Sequence, residues 1–261
     1  MKNILKIVWI VLRSILILIL IWYFCDTGVD HILYDAKISN FKSLATYNET
    51  ISTATEKYYK VDKLSHLDKF KADELPGYYM KNLTMYPGNT TDIITSPNAT
   101  LVNELISGIV TYTAGGHAGI IAGNYQDFKG KIKPEEIYEA LGMEEGLNPS
   151  RTTDRGYFTT STYYKEVVVV RADLDEEKKD KVLSLASGDL GDPYNYSFGI
   201  FDSKNKSICT DLVSKVFDKV NVNLNKDGMF VTTYDLVISS DVHIVYYHYF
   251  KDGVKYTYYL E

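Results

Sequence analysis

Apolar positions dominate the chain from Ile4 to Phe24, with Lys6 and Arg13 as the charged exceptions. A spanning helix needs about 20 such residues, so residues 1–25 are predicted to form a transmembrane anchor. Lys2, Lys6 and Arg13 stand on its N-terminal side, and Asp26, Asp30 and Asp35 follow it. The positive-inside rule then places the N-terminus in the cytoplasm and everything after Asp26 outside the cell membrane. The rival reading is a secretory signal with Arg13 closing its basic region. Trp22-Tyr23-Phe24-Cys25 is too bulky for the small-residue cleavage site that such a signal requires.

Beyond the anchor the pattern weakens. Ile32, Leu33, Ile38 and Phe41 have spacing that can extend a helix out of the membrane, and Ser65 to Phe70 suits a second short helix. Residues 26–85 are expected as a partly helical stalk. Turn punctuation at Leu75-Pro76-Gly77 and Tyr86-Pro87-Gly88 marks entry to a domain over 86–261. Within it, strands are expected at Asp92–Thr95, His117–Ala122, Glu135–Leu141 and the β-branched run Glu166–Ala172. Helical spacing covers Asn98–Ile109, Asp175–Ser187 and Ile208–Val220, with a short helix at Thr232–Ile238. Val242–Phe250 and Val254–Leu260 read as a hairpin turning at Asp252-Gly253. Strands and helices intersperse without strict βαβ alternation, which favours an α+β fold with an antiparallel sheet.

Charge narrows the partners. The net charge is −6 and the pI about 5.4, so no basic surplus is available for nucleic acid. Tyrosine is frequent at 23 residues; it suits strands and polar-aromatic surfaces, although a biased genome composition produces the same count. There are two cysteines, Cys25 and Cys209. That count excludes four-thiolate metal sites. A disulfide between a membrane boundary and a distal helix is geometrically awkward. No metal or cofactor is expected.

Cys209 begins an amphipathic helix, where the free N–H groups and the positive end of the dipole favour thiolate over thiol. The same N–H groups can receive an oxyanion. A buried, inert Cys is an equally weighted reading of that position. A reactive thiolate needs a histidine, and the chain offers His31, His66, His117, His243 and His248. His117 differs from the rest because Gly115, Gly116, Ala118 and Gly119 surround it and leave room for another group to approach. A core histidine bonded to a carbonyl is its alternative.

Gly191-Asp192-Pro193-Tyr194, followed by Cys209-Thr210-Asp211-Leu212-Val213, resembles the NlpC-type cell-wall hydrolases. Ile208 stands where those carry Asp, and Thr210-Asp211 where they carry Ser-Gly. The Cys209 segment is closer to the circularly permuted branch, the YiiX-like and YebB-like proteins. In that branch too the His strand precedes the Cys helix, and Asp92-Ile93-Ile94-Thr95, Gly116-His117-Ala118-Gly119-Ile120 and Thr232-Thr233-Tyr234-Asp235-Leu236 are similar to its remaining motifs. The resemblance spans about residues 86 to 247.

It implies a permuted papain-like fold, with an antiparallel sheet packed against the Cys-bearing helix, and a cysteine hydrolase activity. Cys209 is then the nucleophile and His117 its base and acid. Glu139, in Ile137-Tyr138-Glu139-Ala140, orients the imidazole, and Tyr194 donates to the oxyanion. The expected substrates outside a membrane are peptidoglycan peptides. A lipid acyl substrate, as in relatives similar to lecithin retinol acyltransferase, is the alternative, and a catalytically silent binding domain is a third reading.

Overall fold

The structure, a computed structural model, describes residues 2–62, 90–97, 116–126, 132–140, 151–153, 164–195, 208–228 and 230–260. Thirteen elements are present among them: helix α1 (Lys2–Ser43), strands β1 (Ala45–Tyr47), β2 (Glu56–Val61), β3 (Ile93–Ser96), β4 (His117–Gln126), β5 (Ile132–Glu139), β6 (Arg151–Thr153) and β7 (Glu166–Ala172), helices α2 (Glu176–Gly188), α3 (Cys209–Asp218) and α4 (Thr233–Ile238), and strands β8 (Val242–Lys251) and β9 (Val254–Leu260). The helices expected at Asn98–Ile109 and Ser65–Phe70 lie outside the described residues.

The strands form one nine-stranded sheet in the order β1-β2-β9-β8-β7-β3-β4-β5-β6. All pairs are antiparallel except β2 with β9, which run parallel. β7 lies between β3 and β8, and Val167 to Val170 are completely buried. That placement accounts for the unbroken apolar run where an edge strand would alternate. The β8–β9 hairpin closes with Lys251 opposite Val254. Asp252 and Gly253 between them both adopt positive φ, as a two-residue hairpin turn of the primed type requires.

The helix caps follow their sequences. Asp175 caps α2 by accepting from the Lys178 N–H. Thr232 and Asp235 form a reciprocal capping box on α4. The α3 N-cap, Ile208, offers no side-chain bond to the first turn.

α1 is one continuous helix of 42 residues. Its segment Ile4–Ile21 is long and apolar enough to cross a membrane, and none of that segment is buried against the protein. From Thr27 onwards the same helix packs on the domain, burying Thr27, Asp30, Tyr34, Ile38 and Phe41. The Tyr34 hydroxyl donates to Glu166 Oε1 at 2.7 Å. Lys37 Nζ donates to the carbonyls of Ser239 and Val242, each at 2.9 Å; burial, then the nearby Lys226, lowers its pKa to about 8. The Tyr234 ring of α4 meets His31 and Tyr34, with centroids 5.1 and 5.2 Å away. The ammonium of Lys42 lies 4.7 Å from the centre of the Tyr249 ring.

Residues 26–62 of the segment expected as a stalk therefore contribute to the folded body. β2 supplies Tyr58 and Val61 to the core and pairs with β9 from Glu56–Lys255 to Val61–Leu260. Its sequence, Glu-Lys-Tyr-Tyr-Lys-Val, is too polar to register as a strand in a scan of apolar periodicity. Its pairing partner, β9, is also more than half the chain away.

Candidate active site

The site is built where β3, β4 and β5 adjoin and α3 packs against β4. His117 is the first residue of β4 and lies opposite Ser96 of β3. Gly116 makes that placement possible. It has φ of +79°, and a Cβ there would stand 2.0 Å from the Ser96 carbonyl oxygen, well inside van der Waals contact. Along β4, Gly119 shares the face of His117 because side chains alternate with a period of two. A Cβ on Gly119 would meet Ile137 Cγ2 at 2.5 Å and Glu139 Cβ at 3.4 Å. The bare backbone therefore opens the lane through which the Glu139 side chain, from the neighbouring strand, reaches His117.

It does reach: His117 Nε2 and Glu139 Oε2 are 2.7 Å apart. Both side chains are sealed from water, at 2% and 0% exposure. With Nε2 engaged by the carboxylate, Nδ1 is the ring nitrogen left for the Cys209 sulfur, which hydrogen-bonds the same imidazole. Sequence spacing alone joined these three residues only through a resemblance, and the structure brings all three together.

Electrostatics at the pair follow from competing effects. Burial lowers the His117 pKa, but the Cys209 thiolate and the Glu139 carboxylate outweigh it, and the net shift is well upward. Burial raises the Cys209 pKa, yet His117 and the backbone N–H groups of Ala118 and Thr210 reverse it, and the net shift is downward. The two shifts together favour the thiolate–imidazolium ion pair over the neutral pair. A thiolate beside an imidazolium has the chemical form that nucleophilic catalysis by a thiol requires.

The first turn of α3 completes the constellation. Cys209 is the first residue of α3, whose N-cap makes no side-chain bond to the first turn, and the Thr210 N–H of that turn donates to the Cys209 sulfur. The Thr210 hydroxyl donates to the Val231 carbonyl at 2.7 Å, fully buried. This bond ties the residue after Cys209 to the segment that enters α4. Thr210 was not anticipated; a hydroxyl at an otherwise apolar face of a helix was the only signal for it.

Of the remaining sequence candidates, Tyr194 is half-buried and packs against the core. His248 is fully buried, with Nδ1 3.1 Å from the Tyr246 hydroxyl; burial, then Lys255, holds its pKa well below the usual histidine range. It is a core histidine on β8, separated from the histidine strand of the site by β7 and β3. His31 sits on α1, 3.3 Å from Asp35, and His66 lies outside the described residues. Asp92, immediately before β3, is almost completely buried and receives a bidentate pair from Arg171, Nε to Oδ1 and Nη2 to Oδ2, each 2.7 Å. The pair pins β3 to β7 beside the histidine strand; an arginine closing a valine run was its signal in the sequence.

A buried thiolate, imidazole and carboxylate, with the sulfur at an uncapped helix start, is the equipment of a papain-like cysteine amidase. Residues 90–241 match the family described as "permuted papain-like amidase enzyme, YaeF/YiiX, C92 family", and the chain belongs to it. It is thus a member of a cysteine peptidase and amidase family, with the histidine strand ahead of the cysteine helix as permutation requires. No curated protein matches the chain. Among solved structures, a similar one is the crystal structure of metalloprotein YiiX from Escherichia coli O157:H7, at 18% identity and a TM-score of 0.41, covering 60% of this chain and 96% of that one.

Proposed function

We propose that the protein is a membrane-anchored thiol amidase in which Cys209 is the nucleophile, His117 the base and acid, and Glu139 the residue that orients the imidazole. The observation carrying this reading is the buried contact of His117 with both Glu139 and Cys209. The thiolate attacks the carbonyl carbon of an amide, forming a C–S bond and placing the negative charge on oxygen. N–H groups of the first turn of α3, and the Tyr194 hydroxyl, receive that oxyanion. On collapse the C–N bond breaks and the imidazolium of His117 gives its proton to the departing nitrogen. Water, deprotonated by His117, then adds to the thioester; the C–S bond breaks and the acid is released.

The segment Ile4–Ile21 of α1 is the anchor, with the N-terminus cytoplasmic and the domain outside. Its apolar length and the distribution of basic and acidic residues around it support that orientation. Amide bonds of cell-wall stem peptides are the substrates for a domain so placed. A lipid acyl carbonyl is the second reading, favoured by the direct docking of the domain on the anchor helix. The test is incubation of the full chain, in detergent, with purified peptidoglycan. Release of soluble peptide fragments, abolished by Cys209→Ala, supports the proposal. Release that survives Cys209→Ala excludes it.

A further inference from the structure

α1 presents two faces beyond its apolar segment. Thr27, Tyr34 and Phe41 recur every seven residues and are buried against the domain, with Asp30 and Ile38 beside them. On the other side of the helix, Val29, Ile32 and Leu33 are 54%, 68% and 49% exposed. Each residue turns the helix by about 100°. Cys25, Val29, Ile32 and Ala36 then fall on one narrow stripe, whose centre lies about 170° from the centre of the buried face. The domain sits behind this stripe and leaves it open. Asp30, Asp35 and Lys37 stand in the same turns. A charge in hydrocarbon costs a few kcal/mol, so the acyl chains of a bilayer do not cover Val29, Ile32 and Ala36.

The stripe has the spacing of a coiled-coil seam. From Cys25 to Ala36 the steps are four, three and four residues, the alternation of d and a positions in a heptad. Continued towards the N-terminus in the same register, the seam takes Leu18, Ile15, Val11, Val8 and Ile4, all exposed. The apolar character of that stretch is enough to make those five positions apolar, and the charges within it are the discriminating feature. Lys6 and Arg13 are seven residues apart and hold the heptad position that Thr27, Tyr34 and Phe41 hold beside the domain. Both charges thus stand on the face opposite the seam.

We infer that a second copy of this chain docks along the α1 seam, parallel and in register, with the two domains facing outward. The parallel orientation rests on α1 being the membrane anchor, which gives every copy the same direction across the bilayer. Left-handed packing of this kind serves membrane-spanning and soluble helices alike. The flanking positions agree with it. Gly28 faces Leu33 of the second copy and Asp35 faces Asn40, so no like charges meet. Cys25 faces Cys25. With axes about 8–10 Å apart and Cα atoms about 2.3 Å from each axis, those two Cα atoms are about 4–6 Å apart, within the span that a disulfide bridges.

The test is oxidative cross-linking of the full-length protein in vesicles of phosphatidylcholine and phosphatidylglycerol. Copper phenanthroline in air is the oxidant, and non-reducing electrophoresis is the readout. Cys209→Ser leaves Cys25 as the single thiol. In protein lacking both native thiols, one is returned at a time: by Leu18→Cys or Ile32→Cys on the seam, and by Ile17→Cys or Leu20→Cys away from it. Ile17 and Leu20 are also exposed, so accessibility does not separate the two sets.

The expected result is a covalent dimer from thiols at 18, 25 and 32, in a yield at least about tenfold above that from 17 and 20, because thiols held across the seam meet at high effective concentration. That yield persists as the protein is diluted with lipid. Ile32→Asp, which sets two carboxylates against each other, lowers the Cys25 yield by a similar factor. Dilution into excess detergent before oxidation separates the copies and abolishes the cross-link, and Cys25 then has the exposure of the single chain. Equal yields on the two faces, or yields that fall in proportion as lipid is added, overturn the inference. Cross-linking at a single seam position overturns the parallel register. Release of the protein from the vesicles by alkaline carbonate overturns the anchor, and with it the shared orientation.

Discussion

Glu139→Gln isolates the electrostatic contribution of the buried carboxylate. Glutamine keeps the side-chain length and an oxygen that can accept from His117 Nε2, now 2.7 Å from the carboxylate, but removes the charge. A hydrogen bond to a charged group contributes about 1.5–3 kcal/mol, against about 0.5–1.5 kcal/mol for a neutral one. The loss in the thiolate–imidazolium state is thus about 1–1.5 kcal/mol. With about 1.4 kcal/mol per factor of ten, the ion pair falls about five- to tenfold relative to the neutral pair. Glu139→Ala removes the bond altogether, and the fall is about ten- to a hundredfold by the same measure. The assay is the second-order rate of Cys209 alkylation by iodoacetamide at mildly acid pH, where only the ion-paired thiolate reacts. Rates that decline in the order Glu, Gln, Ala support the electrostatic role. Wild-type rates in both variants would refute it, and a glutamine variant as slow as the alanine one would show that shape, not charge, carries the effect.

Three further outcomes follow from the same geometry. Gly119→Ala sets a methyl 2.5 Å from Ile137 Cγ2; overpacking of this kind costs about 1–3 kcal/mol, and displacement of Glu139 should slow Cys209 alkylation as well as lower Tm. Arg171→Ala leaves Asp92 buried without its bidentate partner, a loss of about 3–5 kcal/mol, which thermal unfolding in detergent should register as a fall of at least about 6 °C. Asp235 is pushed up to about 7, by burial first and by Asp30 and Asp227 against the Thr232 bonds. Its folded state thus holds a proton that the unfolded state releases near pH 4, so stability contributed by this residue is present below that pH and is lost as pH rises to about 7. Asp235→Asn, which cannot ionise, should flatten that decline in a series of urea midpoints.

Much of the fold could be read from local pattern. The valine run of β7, the amphipathic face of α3, the capping box of α4 and the Asp252-Gly253 turn each declare themselves within a few residues, because each is governed by local sterics and burial. β1 and β2 do not. β1 has three residues and pairs with β2; β2 is lysine- and tyrosine-rich, and it is held by a parallel pairing with β9 that no local window contains. The active site was partly legible for a related reason. The glycines around His117 advertise a close approach, and a cysteine at a helix start advertises an activated thiol. The identity of the approaching group, Glu139, depends on the β4–β5 register, and only the family resemblance supplied it. Thr210 and the Asp92–Arg171 pair are tertiary contacts whose partners lie far along the chain, so neither could be assigned before the sheet was assembled.

The most direct measurement of the central claim is the pH dependence of alkylation at the protein's two free cysteines, each quantified by peptide mass spectrometry in one sample. Cys25 is exposed and Cys209 buried, so accessibility alone would make Cys25 the faster at every pH. The ion pair with His117 instead requires the rate ratio of Cys209 to Cys25 to rise as the pH is lowered below neutral, and that rise to vanish in His117→Ala. A ratio that stays constant or falls with decreasing pH would contradict the thiolate–imidazolium pair, and with it the assignment of Cys209 as the nucleophile.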